Sequence, residues 1–418
     1  LMPGELFFAI KGDNFDGNLF VDNALKKGAI KAVSSDVKYK AHQDVVFVDD
    51  TLQLLQDLAK FHRSKFEIPV IAITGTNGKT TTKELVCSIL KEKYNVLCTK
   101  GNFNNHIGVP LMILQLQSEN NLAVIEMGAS GVGEIMTLCN IAMPTHGLIT
   151  GIGKAHIEGF KTIGNIIKTK LELYDYLKQK NGVFFYNREI SQLSEFVDED
   201  DENVLSFTAD DFKGKSISEV FVENSFPFLK LKIVDNKGSK YEVKTNLYGE
   251  YNFMNITNAM KLADYFDVDI KEIQKALSLF IPNNNRSQIL NTKEGLVILD
   301  AYNANPTSMQ MSINSFEQIK TDNKKYMVLG DMLELGEISI DEHINLINRL
   351  DKKGFYEMIF FVGNEFLKAK DQIQIENPRF AFFKNILTAK EAFTDLKLNK
   401  SLVLIKASRG IQAEKIIE

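Results

Sequence analysis

Short apolar runs alternate with stretches of helical periodicity along most of this chain. The apolar runs at 69–73, 96–99, 122–126, 147–150 and 182–186 predict buried strands, because strands covered on both faces are apolar throughout. The segments between them place apolar residues three and four positions apart, which predicts helices. Strands that alternate with helices in this way predict an α/β fold with a mostly parallel sheet.

The first 67 residues predict a small α/β unit of their own. Apolar runs predict strands at 6–10, 29–34 and 45–48, and helical periodicity predicts helices at 20–27 and 51–65. A polar glycine loop lies at 11–17. Loops of this composition are usually plain turns, so we assign no ligand to it.

The sequence pattern changes twice in the second half of the chain. Residues 201–246 predict an antiparallel flap with a hairpin tip at 235–240, and the loop-like segment 282–286 marks a domain boundary and a hinge that reaches 296. Beyond it, the strands predicted at 296–299, 325–329, 358–362 and 401–405 each end in a polar, glycine-bearing loop, as in a Rossmann-like domain. We predict domains at 1–67, 68–290 and 291–418, the first of them truncated at its start.

Composition and charge limit the functional classes. Hydrophobic residues make up 44% of the 418 positions and charged residues 25%, which is typical of a globular protein. The net charge of −5 gives no reason to expect a nucleic-acid partner. No apolar run approaches the roughly 18 residues that span a bilayer. Cys87, Cys98 and Cys139 lack metal-ligand spacing, so we interpret them as buried thiols in a reducing compartment and predict a cytoplasmic protein.

The strand at 69–73 leads into a glycine turn and the start of a helix, with the sequence Gly75-Thr76-Asn77-Gly78-Lys79-Thr80-Thr81. Backbone N–H groups of such a turn and the helix dipole together form an anion site. Lys79 suits the outer phosphates of a nucleotide, and the Thr80 hydroxyl suits Mg²⁺. Ile73 occupies the position of the first Walker glycine, so this is a compact P-loop. An ordinary strand–turn–helix corner is the alternative, and the adjacent Gly-Lys-Thr-Thr favours nucleotide binding.

Three residues near the strand ends are informative when taken together. Glu126 ends the strand at 122–126, where a carboxylate suits Mg²⁺ opposite Thr80. His156 follows the strand at 147–150, and Lys170 lies on the next predicted helix. Taken singly, such residues are most often a solvated cap, a structural histidine and a surface lysine.

Asparagines are concentrated in two further stretches. The loop at 101–110 carries Asn102, Asn104 and Asn105 close to the predicted phosphate site, and Asn252 and Asn255 share one face of a predicted helix start. Their amides suit a polar substrate and an adenine edge. Local turn bonds and helix capping are the simpler explanations.

The strand-end segments, taken in order, resemble the Mur ligase family over essentially the whole chain. The matching residues are 74–81, 101–110, 125–128, 155–160, 170–172, 251–255, Arg286, 300–306, 329–337 and 408–410. The Asp-Ala-Tyr-Asn-Ala-Asn-Pro and Gly-Asp-Met-Leu-Glu-Leu-Gly stretches are similar to the branch that joins D-alanyl-D-alanine to UDP-N-acetylmuramoyl-tripeptide. The resemblance implies an ATP-dependent amide ligase of peptidoglycan precursor synthesis that works through an acyl phosphate.

The resemblance also implies roles for individual residues. Lys79 and Thr80 would hold the ATP phosphates and one Mg²⁺, with Glu126 as a ligand of that ion. His156 and a carbamylated Lys170 would bind a second Mg²⁺. Adenine would be contacted by Asn252 and Asn255, and the ATP phosphate and ribose by Arg286 and Asp300. The UDP-sugar-peptide would be contacted by Asn102, Asn104 and Asn105. The dipeptide would be contacted by Asn303, Asn305, Ser408 and Arg409.

The sequence departs from the family's pattern in two places, and two alternative functions stay open. The chain begins after the family's Ser/Thr-Asp-x-Arg stretch, and Lys154 stands where the family commonly has proline. One alternative is another Mur-type or folylpolyglutamate-synthase-like ligase. The other is a non-catalytic nucleotide-binding scaffold. The presence of the full set Lys79, Glu126, His156 and Lys170 argues against the scaffold. We expect a monomer that binds the two substrates, without nucleic acid and without a membrane span.

Overall fold

The structure is a computed structural model that describes residues 1–12, 14–283, 285–292, 295–396, 398 and 400–418. Its elements form an N-terminal unit, a central unit with an antiparallel flap, and a C-terminal unit. Each unit has its own sheet, and the two larger sheets have six strands each. The predicted α/β class is therefore confirmed.

The N-terminal unit is a three-stranded parallel sheet with the strand order β1-β4-β5. Its elements are β1 (Leu6–Phe8), β2 (Lys11–Gly12), β3 (Phe15–Asp16), α1 (Val21–Lys26), β4 (Lys31–Ser34), β5 (Val45–Phe47) and α2 (Thr51–Arg63). The predicted loop at 11–17 contains the short hairpin β2–β3, and Asp13 within it lies outside the described residues. The buried core of this unit is small, so its stability depends on packing against the central unit through α2.

Arg63, at the end of α2, fastens the N-terminal unit to the central unit. Its side chain is only 4% exposed. The Nε atom donates to the Ala142 carbonyl at 3.0 Å, and a terminal nitrogen donates to the carbonyls of Ile68 and Met143 at 3.2 and 3.3 Å. The other terminal nitrogen donates to the Phe66 carbonyl. One guanidinium group therefore satisfies four carbonyl groups.

Arg63→Met is expected to lower the free energy of unfolding by about 3 kcal/mol, because the buried carbonyls lose a charged donor. The measurement is the melting temperature by calorimetry. Lys60→Met removes an exposed positive charge from the same helix and serves as the control. Equal melting temperatures for the two variants would contradict this role of Arg63.

The central unit is a parallel sheet with the strand order β11-β10-β9-β6-β8-β7. Its elements are β6 (Val70–Thr74), α3 (Lys79–Leu90), β7 (Val96–Cys98), α4 (Gly108–Ile113), β8 (Leu122–Glu126), α5 (Glu134–Ala142), β9 (His146–Ile149), α6 (Ile157–Phe160), α7 (Ile163–Gln179), β10 (Val183–Asn187) and β11 (Val204–Phe207). Every residue of β6 and β8 is buried, which explains their unbroken apolar sequence.

The flap is shorter than predicted. It comprises the antiparallel strands β12 (Ile217–Asn224), β13 (Lys230–Asp235) and β14 (Lys240–Lys244), and the helices α8 (Tyr251–Tyr265) and α9 (Ile270–Leu279) follow it. The hairpin tip at 235–240 is confirmed. The prediction that the flap starts at 201 is wrong for β11, which pairs in parallel with β10 and buries Val204 and Phe207 in the central unit.

The C-terminal unit has the strand order β15-β16-β20-β17-β18-β19, in which only β15 is antiparallel to its neighbour. Its elements are β15 (Gln288–Asn291), β16 (Gly295–Asp300), α10 (Pro306–Gln318), β17 (Lys324–Gly330), α11 (Ser339–Asp351), β18 (Met358–Val362), α12 (Asn364–Lys370), β19 (Phe380–Phe383), α13 (Ile386–Asp395) and β20 (Ser401–Lys406). All four predicted strands are present, and β15 and β19 were not predicted.

The domain limits at 67/68 and 290/291 stay predictions. Strand β15 spans the second limit and pairs within the C-terminal sheet. Asn284 of the predicted boundary and Lys293 and Glu294 of the predicted hinge lie outside the described residues.

Two of the three cysteines are bonded to each other. Cys87 on α3 and Cys98 at the end of β7 form a disulfide, so the prediction of free thiols is wrong for this pair. The two residues lie 11 positions apart on neighbouring elements, and their sequence spacing carried no signal of this. Cys139 is a buried free thiol, as predicted, and burial raises its pKa. Within the described ranges, no helix is long and apolar enough to cross a membrane.

Candidate active site

A cavity of about 750 Å³ lies between the central and C-terminal units, at the carboxyl ends of both six-stranded sheets. Strand β6 lies between β8 and β9, and β20 lies between β16 and β17. Each of these positions is a topological switch point, where loops diverge and leave a crevice for ligands. The two crevices face each other across the cavity.

The P-loop forms the central wall of the cavity. Gly75 and Gly78 have φ angles of 145° and 80°, which favour glycine. A Cβ atom would lie 2.2 Å from Thr150 Oγ1 at Gly75 and 2.3 Å from Asn255 Oδ1 at Gly78. Neighbouring elements therefore pack directly against both glycines, and no side chain fits at either position.

Lys79 is folded back over the P-loop. Its Nζ donates to the carbonyls of Gly75 at 2.7 Å and Thr76 at 3.1 Å. Burial lowers the pKa of Lys79, the nearby Glu126 carboxylate opposes this shift, and Arg286 adds to it. An anionic ligand would offset the cost of burying this charge.

Thr80 and Glu126 meet as predicted for a divalent-cation site. The Thr80 hydroxyl donates to Glu126 Oε1 at 3.2 Å, and Asn104 Nδ2 donates to the same oxygen at 2.7 Å. The other carboxylate oxygen, Oε2, is buried without a hydrogen-bond partner. A buried unpaired carboxylate oxygen beside a threonine hydroxyl suits Mg²⁺, which takes oxygen ligands and usually keeps several waters. Among the described residues, no three His, Cys, Asp or Glu side chains gather as a metal site, so phosphate and water would supply the other ligands.

His156 is paired with the C-terminal unit. It begins α6 with a left-handed φ of 50°, and its Nδ1 lies 2.5 Å from Glu334 Oε2. This hydrogen bond lowers the pKa of Glu334. Both side chains line the cavity. The C-terminal unit therefore contributes a carboxylate next to the predicted metal-binding histidine.

Lys170 is buried on α7, with 2% of its surface exposed. Its side chain makes no hydrogen bond or ion pair within the described part of the chain, and its Nζ lies 5.4 Å from the centroid of the Phe160 ring. Burial, with a smaller contribution from the positive charge of Lys79, lowers the pKa of Lys170 to about 7. A large fraction of the amine is therefore neutral and nucleophilic near neutral pH.

The asparagines of the site already take part in internal hydrogen bonds. Asn255 donates to Asn252 at 2.9 Å and accepts from the Thr82 hydroxyl at 3.2 Å, which joins α8 to the P-loop helix. Asn105, which precedes α4, accepts a hydrogen bond from the backbone N–H of Gly108 at 2.8 Å. Asn102 lines the cavity. Contact of these residues with adenine or the UDP-sugar stays a prediction.

The C-terminal wall is built from the ends of β16 and β20. Asp300 Oδ2 lies 3.0 Å from Nζ of Lys406, which is 2% exposed, and Lys406 also donates to the Asn303 carbonyl at 2.8 Å. The Ser408 hydroxyl accepts from the Leu333 N–H at 3.0 Å. Ser408, which is predicted to contact the dipeptide, thus also stabilises the loops around it.

The C-terminal unit is docked directly onto the P-loop side. Asn305, which caps α10, donates its amide to Asn77 Oδ1 at 2.8 Å. Lys154 forms an ion pair with Glu342 at 2.7 Å, and its backbone N–H donates to Thr307 Oγ1 at 3.2 Å. The proline common in the family would lack that N–H group. Lys154 therefore adds an interdomain contact at a position where the sequence departs from the family.

The structure brings nearly all the predicted site residues to one cavity; only Gly75, Lys170 and Asn305 do not line it. Sequence reasoning missed Lys406, Glu334 and Tyr302, which also line it. Lys406 is the last residue of the otherwise apolar strand β20, as Glu126 is of β8, so the argument from strand ends that identified Glu126 also applies to it. The partners of Glu334 and Tyr302 come from distant segments, and no local pattern indicates them.

A P-loop that faces a strand-end carboxylate, across a cleft closed by a second parallel sheet, defines a nucleotide-dependent α/β enzyme. Comparison with known families narrows this class. The family model described as "Mur ligase middle domain" matches residues 73–263, "Mur ligase, glutamate ligase domain" matches 285–409, and "Mur ligase family, catalytic domain" matches 1–63. The chain belongs to the Mur ligase family.

Individual relatives agree with this assignment. The chain is 33% identical over 424 residues to UDP-N-acetylmuramoyl-tripeptide--D-alanyl-D-alanine ligase of Bacillus subtilis (strain 168), covering 99% of this chain and 90% of the relative. It is similar to MurF from Acinetobacter baumannii, with a TM-score of 0.86, 29% identity and coverage of 99% and 90%. The MurF ligase of Thermotoga maritima in complex with ADP has a TM-score of 0.82, 28% identity and coverage of 100% and 94%.

Proposed function

We propose that this Mur ligase adds D-alanyl-D-alanine to UDP-N-acetylmuramoyl-tripeptide at the expense of ATP. The observation that carries the proposal is the cavity in which the P-loop, the unpaired Glu126 oxygen and the strand-end loops of the C-terminal unit meet. The Bacillus subtilis relative, which matches almost the full chain, bears the name of this activity.

The reaction has two steps. A carboxylate oxygen of the tripeptide attacks the γ-phosphorus of ATP, the bond to ADP breaks, and an acyl phosphate forms. The dipeptide amine then attacks the acyl carbon, inorganic phosphate leaves, and the amine loses a proton as the amide forms. Lys79 and Arg286 offset the negative charge on the transferred phosphoryl group, and the P-loop N–H groups orient it.

Thr80 and Glu126 are the residues that would hold the first Mg²⁺, and His156 and Lys170 those that would hold a second. A bound Mg²⁺ would neutralise charge on the phosphates. A carbamylated Lys170 would present a carboxylate-like group to the second ion. Its burial, its depressed pKa and its lack of a hydrogen-bonding partner among the described residues support this modification.

The substrates are assigned to opposite walls of the cavity. Asn102, Asn104 and Asn105 are proposed to contact the UDP-sugar-peptide, and the adenine is proposed to meet Asn252 and Asn255. The residues proposed for the dipeptide are Asn303, Asn305, Ser408 and Arg409. We propose a monomer in the cytoplasm, where these precursors are made; the Cys87–Cys98 bond argues against a reducing compartment.

ATP-dependent phosphate release tests the proposal. The protein is incubated with UDP-N-acetylmuramoyl-tripeptide and D-alanyl-D-alanine, a single amino acid, or no acceptor, and the product is weighed by mass spectrometry. We expect release only with the dipeptide, together with a new amide. Release with a single amino acid would assign the chain to another Mur-type or folylpolyglutamate-synthase-like ligase. Nucleotide binding without release would indicate a scaffold.

A further inference from the structure

Arg286 and Arg409 approach the same aromatic ring inside the cavity. The central carbon of the Arg286 guanidinium lies 3.7 Å from the centroid of the Tyr302 ring, and that of Arg409 lies 5.4 Å from it. All three side chains line the cavity that contains Lys79. Neither arginine side chain forms a hydrogen bond or an ion pair with any residue that the structure describes. The Tyr302 ring is therefore their common contact.

The backbone places Arg286 and Tyr302 side by side. The Asn285 carbonyl accepts hydrogen bonds from the N–H groups of Ala301 at 2.9 Å and Tyr302 at 3.2 Å, which fastens the Arg286 loop to the end of β16. Asn285 and Ser287, on either side of Arg286, have left-handed φ angles of 56° and 50°. Such backbone conformations are uncommon in residues other than glycine and are frequent at functional sites.

An aromatic ring and a carboxylate differ in what they leave available on a bound arginine side chain. A carboxylate partner would orient the guanidinium group and neutralise its charge. A ring face attracts the cation through its quadrupole and leaves the charge and the N–H donors available to a ligand. The Nε atom of Arg286 is buried and has no hydrogen-bond partner, and the group lies close enough to Lys79 to affect its pKa. This arrangement suits a polyanionic ligand between the two side chains.

We propose that Tyr302 is a positioning residue for phosphoryl transfer. Its ring stacks on Arg286 and orients that guanidinium group toward the phosphoryl group that passes from ATP to the substrate carboxylate. The Tyr302 hydroxyl makes no hydrogen bond among the described residues, so the ring face is the part that matters. This inference rests on the proposed function and adds a residue to it.

A double-mutant cycle tests this role, with Tyr302→Leu, Tyr302→Phe, Arg286→Ala and the double variant Arg286→Ala/Tyr302→Leu. We expect Tyr302→Leu to lower kcat for dipeptide-dependent phosphate release about tenfold, the scale of a desolvated cation–π contact. The KM for ATP should change less than about twofold, because the P-loop still binds the nucleotide. Tyr302→Phe should retain most of the kcat. In the Arg286→Ala background, Tyr302→Leu should cause no further loss.

Several outcomes would overturn the inference. Losses that multiply in the double variant would show that Tyr302 does not act through Arg286, and an equal loss in Tyr302→Phe would assign the role to the hydroxyl. Melting temperatures identify any variant that fails to fold, and Tyr302→Met, with a side chain of similar length, then replaces Tyr302→Leu. A protein without any dipeptide-dependent release would refute the proposed function, whereas an active protein with a normal kcat for Tyr302→Leu would refute only this inference.

Discussion

Lys79→Met is expected to lower kcat for dipeptide-dependent phosphate release by about a thousandfold or more, which is the largest effect that we expect from a single substitution. The Lys79 ammonium group lies at the N-terminus of α3, 2.7 Å from the Gly75 carbonyl. It is the positively charged side chain of the P-loop. The methionine side chain keeps the length of the lysine and removes the charge that opposes the negative charge of the phosphates. Steady-state phosphate release with saturating substrates measures the loss.

The matched control for this prediction lies on the same helix. Lys91 caps the carboxyl end of α3 and is exposed, so Lys91→Met removes one positive charge at a distance from the cavity. We expect it to keep the parent activity. Equal melting temperatures for the two variants would exclude unfolding as the cause of a difference. A Lys79→Met protein with a kcat within tenfold of the parent would remove the P-loop lysine from the mechanism.

The sequence was sufficient wherever function depends on local patterns. The helix Lys79–Leu90 begins where the sequence predicts, because Gly78 adopts the left-handed conformation that ends the preceding turn and the residues after it have helical periodicity. Strand Leu122–Glu126 also has its predicted bounds, so Glu126 falls at a strand end beside the P-loop. Strand ends in a parallel sheet lie at one edge, and this geometric rule accounts for most of the correct site residues.

The sequence was insufficient wherever function depends on which distant segments meet. The pairs His156–Glu334 and Asp300–Lys406 join residues far apart in the chain, and either partner alone has an ordinary explanation. Strand β11 was assigned to the flap because its neighbours are acidic and polar, although its own buried residues complete the central sheet. Pairing of this kind is decided by tertiary packing, which outweighs local propensity.

Lys170→Met is expected to lower kcat by about a hundredfold, because the site would lose the proposed ligand of the second cation and methionine cannot be carbamylated. Carbamylation requires the neutral amine: its nitrogen attacks the carbon of CO₂, and the nitrogen releases a proton to solvent. Because the pKa of Lys170 is lowered to about 7, the amine is mostly neutral above that pH and increasingly protonated below it. Activity should therefore fall in CO₂-free buffer, recover on addition of bicarbonate, and recover less completely below pH 7.

The bicarbonate response separates this role from a structural one. Lys168→Met removes an exposed charge from the same helix and is expected to keep both the activity and its dependence on bicarbonate. The Lys170→Met protein should be insensitive to bicarbonate. In ¹³C-bicarbonate, NMR should show a carbamate carbon in the parent and in Lys168→Met, and none in Lys170→Met. A parent protein that lacks this signal and keeps full activity in CO₂-free buffer would contradict carbamylation of Lys170. The proposed second cation would then have to be held by His156 and the Glu334 carboxylate that faces it.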